Sequence, residues 1–255
     1  MLTSTRKSYL IEAPVDLTSE SVTYFQNRLE DYLKASPGSI VLDCSGLELV
    51  TSSHINVLWQ AYQLCANAGV AIRISSPTLG LRRVLKILDL HDFFLDSQGL
   101  EQVETTRTQR LRIVTSFETY SDEFDAGAGS IDNALGKFLR HISCLQLPEL
   151  ILFDLRVMFY EIATNIRIHG RLGNQDRIKF SARADNTRII LTFIDSGIPF
   201  DPTRQQSNIN QRSSARNNQY RGFGIPMIFR MADKVSYVRK NDTFNILTLE
   251  KKWIK

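Results

Sequence analysis

Apolar positions fall into two alternating patterns from the start of the chain to Phe94. Residues 7–16 read as a short strand ending at Pro14, after which Val22, Phe25, Leu29 and Leu33 recur at helical spacing. SIVLDC (39–44) and VAIRI (70–74) read as buried strands. Ile55, Leu58, Trp59, Tyr62 and Cys65 form the stripe of one helix, and Leu81, Val84, Leu85 and Leu88 that of another. Strands alternating with helices predict a small α/β unit.

A polar stretch follows, and the pattern then changes. LRIVTSF (111–117) predicts a strand, and two long helical stripes come next. Ile131, Leu135, Phe138, Leu139 and Ile142 mark the first; Ile151, Leu155, Met158, Ile162 and Ile166 mark the second, after Pro148. RIKFSARA and TRIILTFI form a hairpin across Asp185-Asn186, and KVSYVRK and TFNILTLEK form another across Asn241-Asp242. Between the hairpins lie a polar loop (203–221) and a helix starting near Ile225. The second half is therefore expected to be α+β, with helices against one face of a mixed, largely antiparallel sheet. The expected boundaries are residues 1–96, a linker over 97–109, and 110–255.

Composition narrows the class. Hydrophobic residues make up 43% and charged residues 23% of 255, the balance of a globular protein. No apolar run reaches membrane-spanning length and the start carries no signal-peptide pattern, so a cytoplasmic protein is expected. Cys44, Cys65 and Cys144 share no CxxC spacing, which argues against a disulfide framework or zinc knuckle. Net charge is +4, but unevenly distributed. Up to Thr105 there are 8 basic and 12 acidic residues; beyond it, 23 and 15. That asymmetry suits an anionic ligand or mutual docking of the halves. The basic residues are dispersed, so direct nucleic-acid binding is not expected despite a pI near 9.0.

Three segments of the second half carry chemistry. Glu161 and Asn165 lie four apart in YEIATNIRIHG, on one helix face beside Met158, Ile162 and Ile166. A carboxylate and an amide so placed suit a general base and an oxygen ligand for a divalent cation, although alone they read equally as a solvated pair. In DSGIPFDP, Asp195 ends an apolar strand and could accept from an exocyclic amine; Gly197 permits close backbone approach. In RGFGIP, Gly222 and Gly224 flank Phe223 ahead of a helix start at Pro226, a form that presents N–H groups to phosphate. Arg221 abuts those glycines, and His169 follows the Glu161 helix, where it could face phosphates or cap the helix.

Taken in order, ExxxN, DxGxPFDP and RGxGI resemble the ATP-binding boxes of the Bergerat-fold (GHKL) ATPases. The PFDP extension is most similar to the anti-sigma-factor serine kinase branch. The resemblance implies ATP and Mg2+, with Glu161 as general base and Asn165 as magnesium ligand. It further implies Asp195 and Gly197 at adenine, a lid over the phosphates bearing Arg221, Gly222, Phe223 and Gly224, and Thr248 reaching adenine from the last strand.

VLDCSGLELVTSSHINVLWQAY is a strand, a loop with Ser52 and Ser53, and an amphipathic helix. Serines there read as helix caps, or as a site where phosphate would meet the positive helix end. Residues 7–95 resemble the STAS domain of anti-sigma-factor antagonists, which implies Ser52 as phosphoacceptor. Thr51 and His54 depart from the family's Asp and Gly, and His54 is expected to reshape kinase docking. The two resemblances imply a serine-protein kinase acting in bacterial partner switching. Its implied partners are a STAS antagonist, a sigma-factor-like protein, a serine phosphatase and a second copy of itself. The alternative is an ATP-gated protein-interaction module with little or no phosphoryl transfer, its STAS unit acting as an intramolecular competitor.

Overall fold

The structure, a computed structural model, describes residues 8–35, 37–95, 118–205 and 222–253. The chain divides into two compact units, one built on each sheet. The expected linker (97–109), the expected strand at 111–117 and most of the loop at 203–221 lie outside the described residues.

In the first unit β1 (Ser8–Glu12), β2 (Ser39–Asp43) and β3 (Ala71–Ser75) form a parallel sheet in the order β1-β2-β3. Parallel neighbours need crossovers, supplied by α1 (Ser19–Lys34) and α2 (Ser52–Asn67). Then come α3 (Leu79–Ile87) and the single turn α4 (His91–Phe94), which periodicity does not reveal because it is too short. Ile11, Ile40, Leu42, Ile72 and Ile74 bury the sheet's helix side with Phe25, Leu29, Ile55, Leu58 and Leu85. Thr18 caps α1 by accepting from Ser21 N–H at 3.2 Å, and Thr78 caps α3 by accepting from Leu81 N–H at 3.2 Å.

The start of α2 departs from expectation. Its cap is Thr51, not a serine, and His54 is turned inward, only 8% exposed. His54 Nε2 donates to Val15 O (3.1 Å), so Nδ1 is the acceptor that receives Thr51 N–H (3.2 Å) and the Thr51 hydroxyl (2.8 Å). The imidazole thus does the work of the Glu in a capping box and ties the β1–α1 loop to the helix start. Burial holds its pKa below the usual 6.5, with the Val15 contact opposing. The unfolded chain therefore binds more protons below that pH. Stability from this source is present above 6.5 and is lost as pH falls through the depressed folded value. Urea midpoints between roughly pH 5 and 7.5 should show this fall in the parent and a flatter profile in His54→Gln; equal profiles would remove His54 from the account.

In the second unit five strands pair antiparallel in the order β4-β5-β6-β8-β7. They are β4 (Glu118–Asp125), β5 (Arg177–Ala184), β6 (Arg188–Asp195), β7 (Lys234–Lys240) and β8 (Phe244–Lys252). α5 (Ala128–Ile142), α6 (Glu149–His169) and α7 (Gly224–Met231) complete the unit. β4 occupies the acidic ETYSDEFD, where charged residues at a sheet edge obscure the strand pattern. Phe138, Phe159, Phe180 and Phe193 form a buried ring cluster, with centroids such as Phe159–Phe180 and Phe180–Phe193 4.8 Å apart. Asp154, fully buried on α6, pairs with Lys251 of β8 at 2.7 Å, and the same ammonium donates to Met231 O at the end of α7. Strand, long helix and short helix are thereby fastened at one point.

Candidate functional site

α6 carries the first two candidate groups. Glu149 in its first turn and Arg167 and His169 in its last complement the helix dipole. Leu155, Met158 and Ile162 bury its sheet-facing side. Glu161 is caught at the border of that stripe, 4% exposed, with Asn165 one turn further on. Asn165 Nδ2 is buried without a hydrogen-bond partner among the described residues.

Asp195 ends β6, 6% exposed. One carboxylate oxygen, Oδ1, is occupied: it accepts from Gly197 N–H at 2.8 Å and from Asn245 Nδ2 at 2.7 Å. Asn245 Nδ2 also lies 3.2 Å from Gly197 O. Its own oxygen accepts from Tyr237 OH (2.6 Å) and Arg239 Nη1 (2.8 Å), and Arg239 Nη1 donates to Gly197 O at 3.1 Å as well. Burial raises the Asp195 pKa, while the Asn245 and Gly197 hydrogen bonds and the Arg239 charge pull it down.

The turn after Asp195 packs directly on the end of α6. Ile198 N–H donates to Gly170 O at 3.0 Å. A Cβ on Gly197 would stand 2.7 Å from Gly170 O and 2.9 Å from its Cα. Gly197→Ala is therefore expected to push the turn off the helix, costing about 1–3 kcal/mol of stability. A urea titration checks this, and parental stability in the variant would refute it.

Asn165, Asp195, Tyr237 and Asn245 converge on a cleft that opens to solvent, while Glu161, Gly197 and Arg239 stand outside its lining. Ile162, Ile166, Ile198, Phe200, Ile225, Ile228 and Leu247 form apolar walls, and Asn165, Asp195, Tyr237 and Asn245 supply polar points. Apolar walls with a single carboxylate among the lining suit an apolar ring bearing an amine. Thr248 does not line it. Alternation along β8 puts Asn245 and Leu247 on the cavity side and Thr248 on the opposite face, in register with Thr192 and Ser236.

His169 is exposed and stacks on Phe200, centroids 4.6 Å apart, rather than lining the cavity. Gly224 opens α7 beside the lining residue Ile225, and Gly222 has φ +91°, a backbone state that favours glycine. Phe223 is buried; Arg221 lies outside the described residues. Ser52, in the other unit, is the half-buried first residue of α2.

Asn245, Tyr237 and Arg239 were absent from the motif reading, yet a signal existed. On strands whose alternate positions are Val235, Leu247 and Leu249, these polar residues occupy the same inward phase. Among the described residues no group of three or more His, Cys, Asp and Glu is placed to hold a metal. Magnesium carried by a triphosphate needs no such cage, taking one or two protein oxygens beside phosphates and water. Asn165, which lines the cavity, carries an amide oxygen of the kind that would serve. No helix among the described residues is long and apolar enough to cross a membrane.

Comparison with known proteins agrees with both units. Residues 3–109 match the STAS domain, and residues 124–251, just over half the chain, match the histidine kinase-like ATPase domain. No curated protein matches. Among solved structures, the SiaB–SiaC complex from Pseudomonas aeruginosa is similar at 12% identity and a TM-score of 0.39, over 51% of this chain and 88% of that one. With the antiparallel sheet, its helices and the family match in agreement, the chain belongs to the histidine kinase-like ATPase family, its ATPase domain preceded by a STAS domain.

Proposed function

We propose that the protein is an ATP-dependent serine kinase of partner-switching type, phosphorylating a STAS serine. The observation that carries this reading is the cavity that joins Asp195, with one oxygen pinned and the other left for a ligand amine, to Asn165. Glu161 lies on the same helix, one turn from Asn165. The purine lies between the apolar walls and gives its exocyclic N–H to Asp195. Glu161 receives the proton of the attacking serine hydroxyl, and Asn165 is the residue that would hold the cation, through its amide oxygen. Magnesium, when bound with the nucleotide, neutralises charge on the phosphates. What remains for the protein is positioning, as phosphoryl transfer generally requires.

The acceptor is Ser52 of this chain or the serine of a separate antagonist. A phosphate on Ser52 would sit in the first turn of α2, where the helix dipole favours it. The further expectations travel with this reading: a cytoplasmic setting, a sigma-factor-like partner, a phosphatase, pairing of two copies, and docking of the acidic STAS half on the basic half.

A second reading is an ATP-gated binding module. It is favoured by His54, which locks Thr51 into the helix cap instead of leaving the family's Asp and Gly beside Ser52. Intact-mass analysis of the parent and of Ser52→Ala, with and without ATP and magnesium, decides between them, with a separate STAS antagonist supplied as second acceptor. A mass gain of one phosphate on either acceptor supports the kinase. ATP binding with no label on any STAS serine overturns it in favour of the module.

A further inference from the structure

The polar cluster behind Asp195 does more than fill space. Asn245 is 5% exposed, and which end of its amide faces Asp195 decides what Asp195 can do. With Nδ2 toward the carboxylate, Asp195 Oδ1 is held and Oδ2 is turned to the ligand; with Oδ1 toward it, two acceptors would repel. The orientation is set from behind. Tyr237 OH donates to Asn245 Oδ1, but a phenol can also accept and would tolerate a flipped amide. Arg239 cannot accept, so its Nη1 enforces a single orientation. The same guanidinium holds Gly197 O, and its Nη2 donates to Asp242 O (2.6 Å) in the β7–β8 turn. One donor-only fork thus spans the amide, the turn after β6 and the hairpin tip.

We propose that Arg239 is a positioning residue for base selection: by fixing the Asn245 amide it keeps Asp195 an acceptor aimed at the 6-position of a purine, so that a 6-amino base is preferred over a 6-oxo base. This rests on reading the cavity as a purine-nucleotide site. Neither Arg239 nor Asn245 touches the phosphates in that reading, so the effect falls on discrimination rather than on general affinity.

The test is calorimetric titration of the full chain with ATP and with inosine triphosphate, each with magnesium. The parent should prefer ATP, and Arg239→Met should lower that preference about tenfold, the scale of one hydrogen bond to a charged group. Tyr237→Phe, which alters the cavity wall but leaves the arginine fork in place, should keep the ATP-to-inosine-triphosphate ratio even where the affinity for both nucleotides changes together. Arg239→Lys, whose ammonium lacks the second arm of the fork that reaches Asp242 O, should lose part of it. An unchanged ATP-to-inosine-triphosphate ratio in Arg239→Met, or equal weakening of both nucleotides, overturns the role. If Arg239→Met fails to fold, the lysine and phenylalanine variants decide: a fall in the first with retention in the second supports it, and the reverse overturns it. Failure of the parent to bind either nucleotide would instead overturn the cavity's assignment, and the inference with it.

Discussion

Exchanging Glu161 for glutamine should cut phosphoryl transfer to a STAS serine by about 10²–10⁴-fold, the span general-base catalysis supplies, while ATP affinity stays within about threefold. The two carboxyl oxygens become an amide of the same shape, so packing at the border of the α6 stripe is retained. What is lost is the capacity to take a proton. Single-turnover transfer from labelled ATP, set beside calorimetric affinity, separates the two quantities. Parental transfer by the glutamine variant would remove Glu161 from the chemistry. A parallel loss of binding would make it a structural residue of the pocket. The contrast with Asn165 is informative, since its replacement by alanine should weaken magnesium-dependent nucleotide binding itself.

The second large effect concerns the fold. Lys251→Met should destabilise the second unit by about 3–5 kcal/mol, because Asp154, without any exposed surface, loses the cation 2.7 Å away. The carbonyl of Met231 loses its donor in the same step. For a unit of this size that is a fall of roughly 10 °C or more in melting temperature. The Lys251→Met, Asp154→Leu double variant should regain most of the loss, since a buried pair replaced by apolar groups often costs little. Thermal scans of parent, single and double variants check both statements. A drop below about 1 kcal/mol in the single variant would show that water reaches the pair.

Much of this architecture was legible from periodicity. The alternation in RIKFSARA and TRIILTFI and the spacing of Ile131, Leu135 and Phe138 predict β5, β6 and α5 because each element buries one face. β4 was not legible: its edge position lets Asp122, Glu123 and Asp125 replace the apolar residues a central strand would need. Of the candidate groups, Asn165 and Asp195, which the structure places on one cavity, each fall in a contiguous motif. Asn245 and Arg239 show in the sequence only as polar residues in the inward phase of their strands; what brings them to Asp195 is the pairing of β6 with β8 and of β8 with β7. Thr248 was misplaced by a single step of strand parity, for the same reason. The inward turn of His54 depends on a carbonyl 39 residues earlier, beyond the reach of local pattern.

The contact between Gly170 and Gly197 has a mechanical consequence. With no side chain on either partner, the segment that follows Asp195 and the last turn of α6 meet backbone to backbone, held by the Ile198–Gly170 hydrogen bond. Such a joint has almost no slack. Under the proposed function, a base seated against Asp195 would bear on the last turn of α6, the helix that carries Asn165 and Glu161.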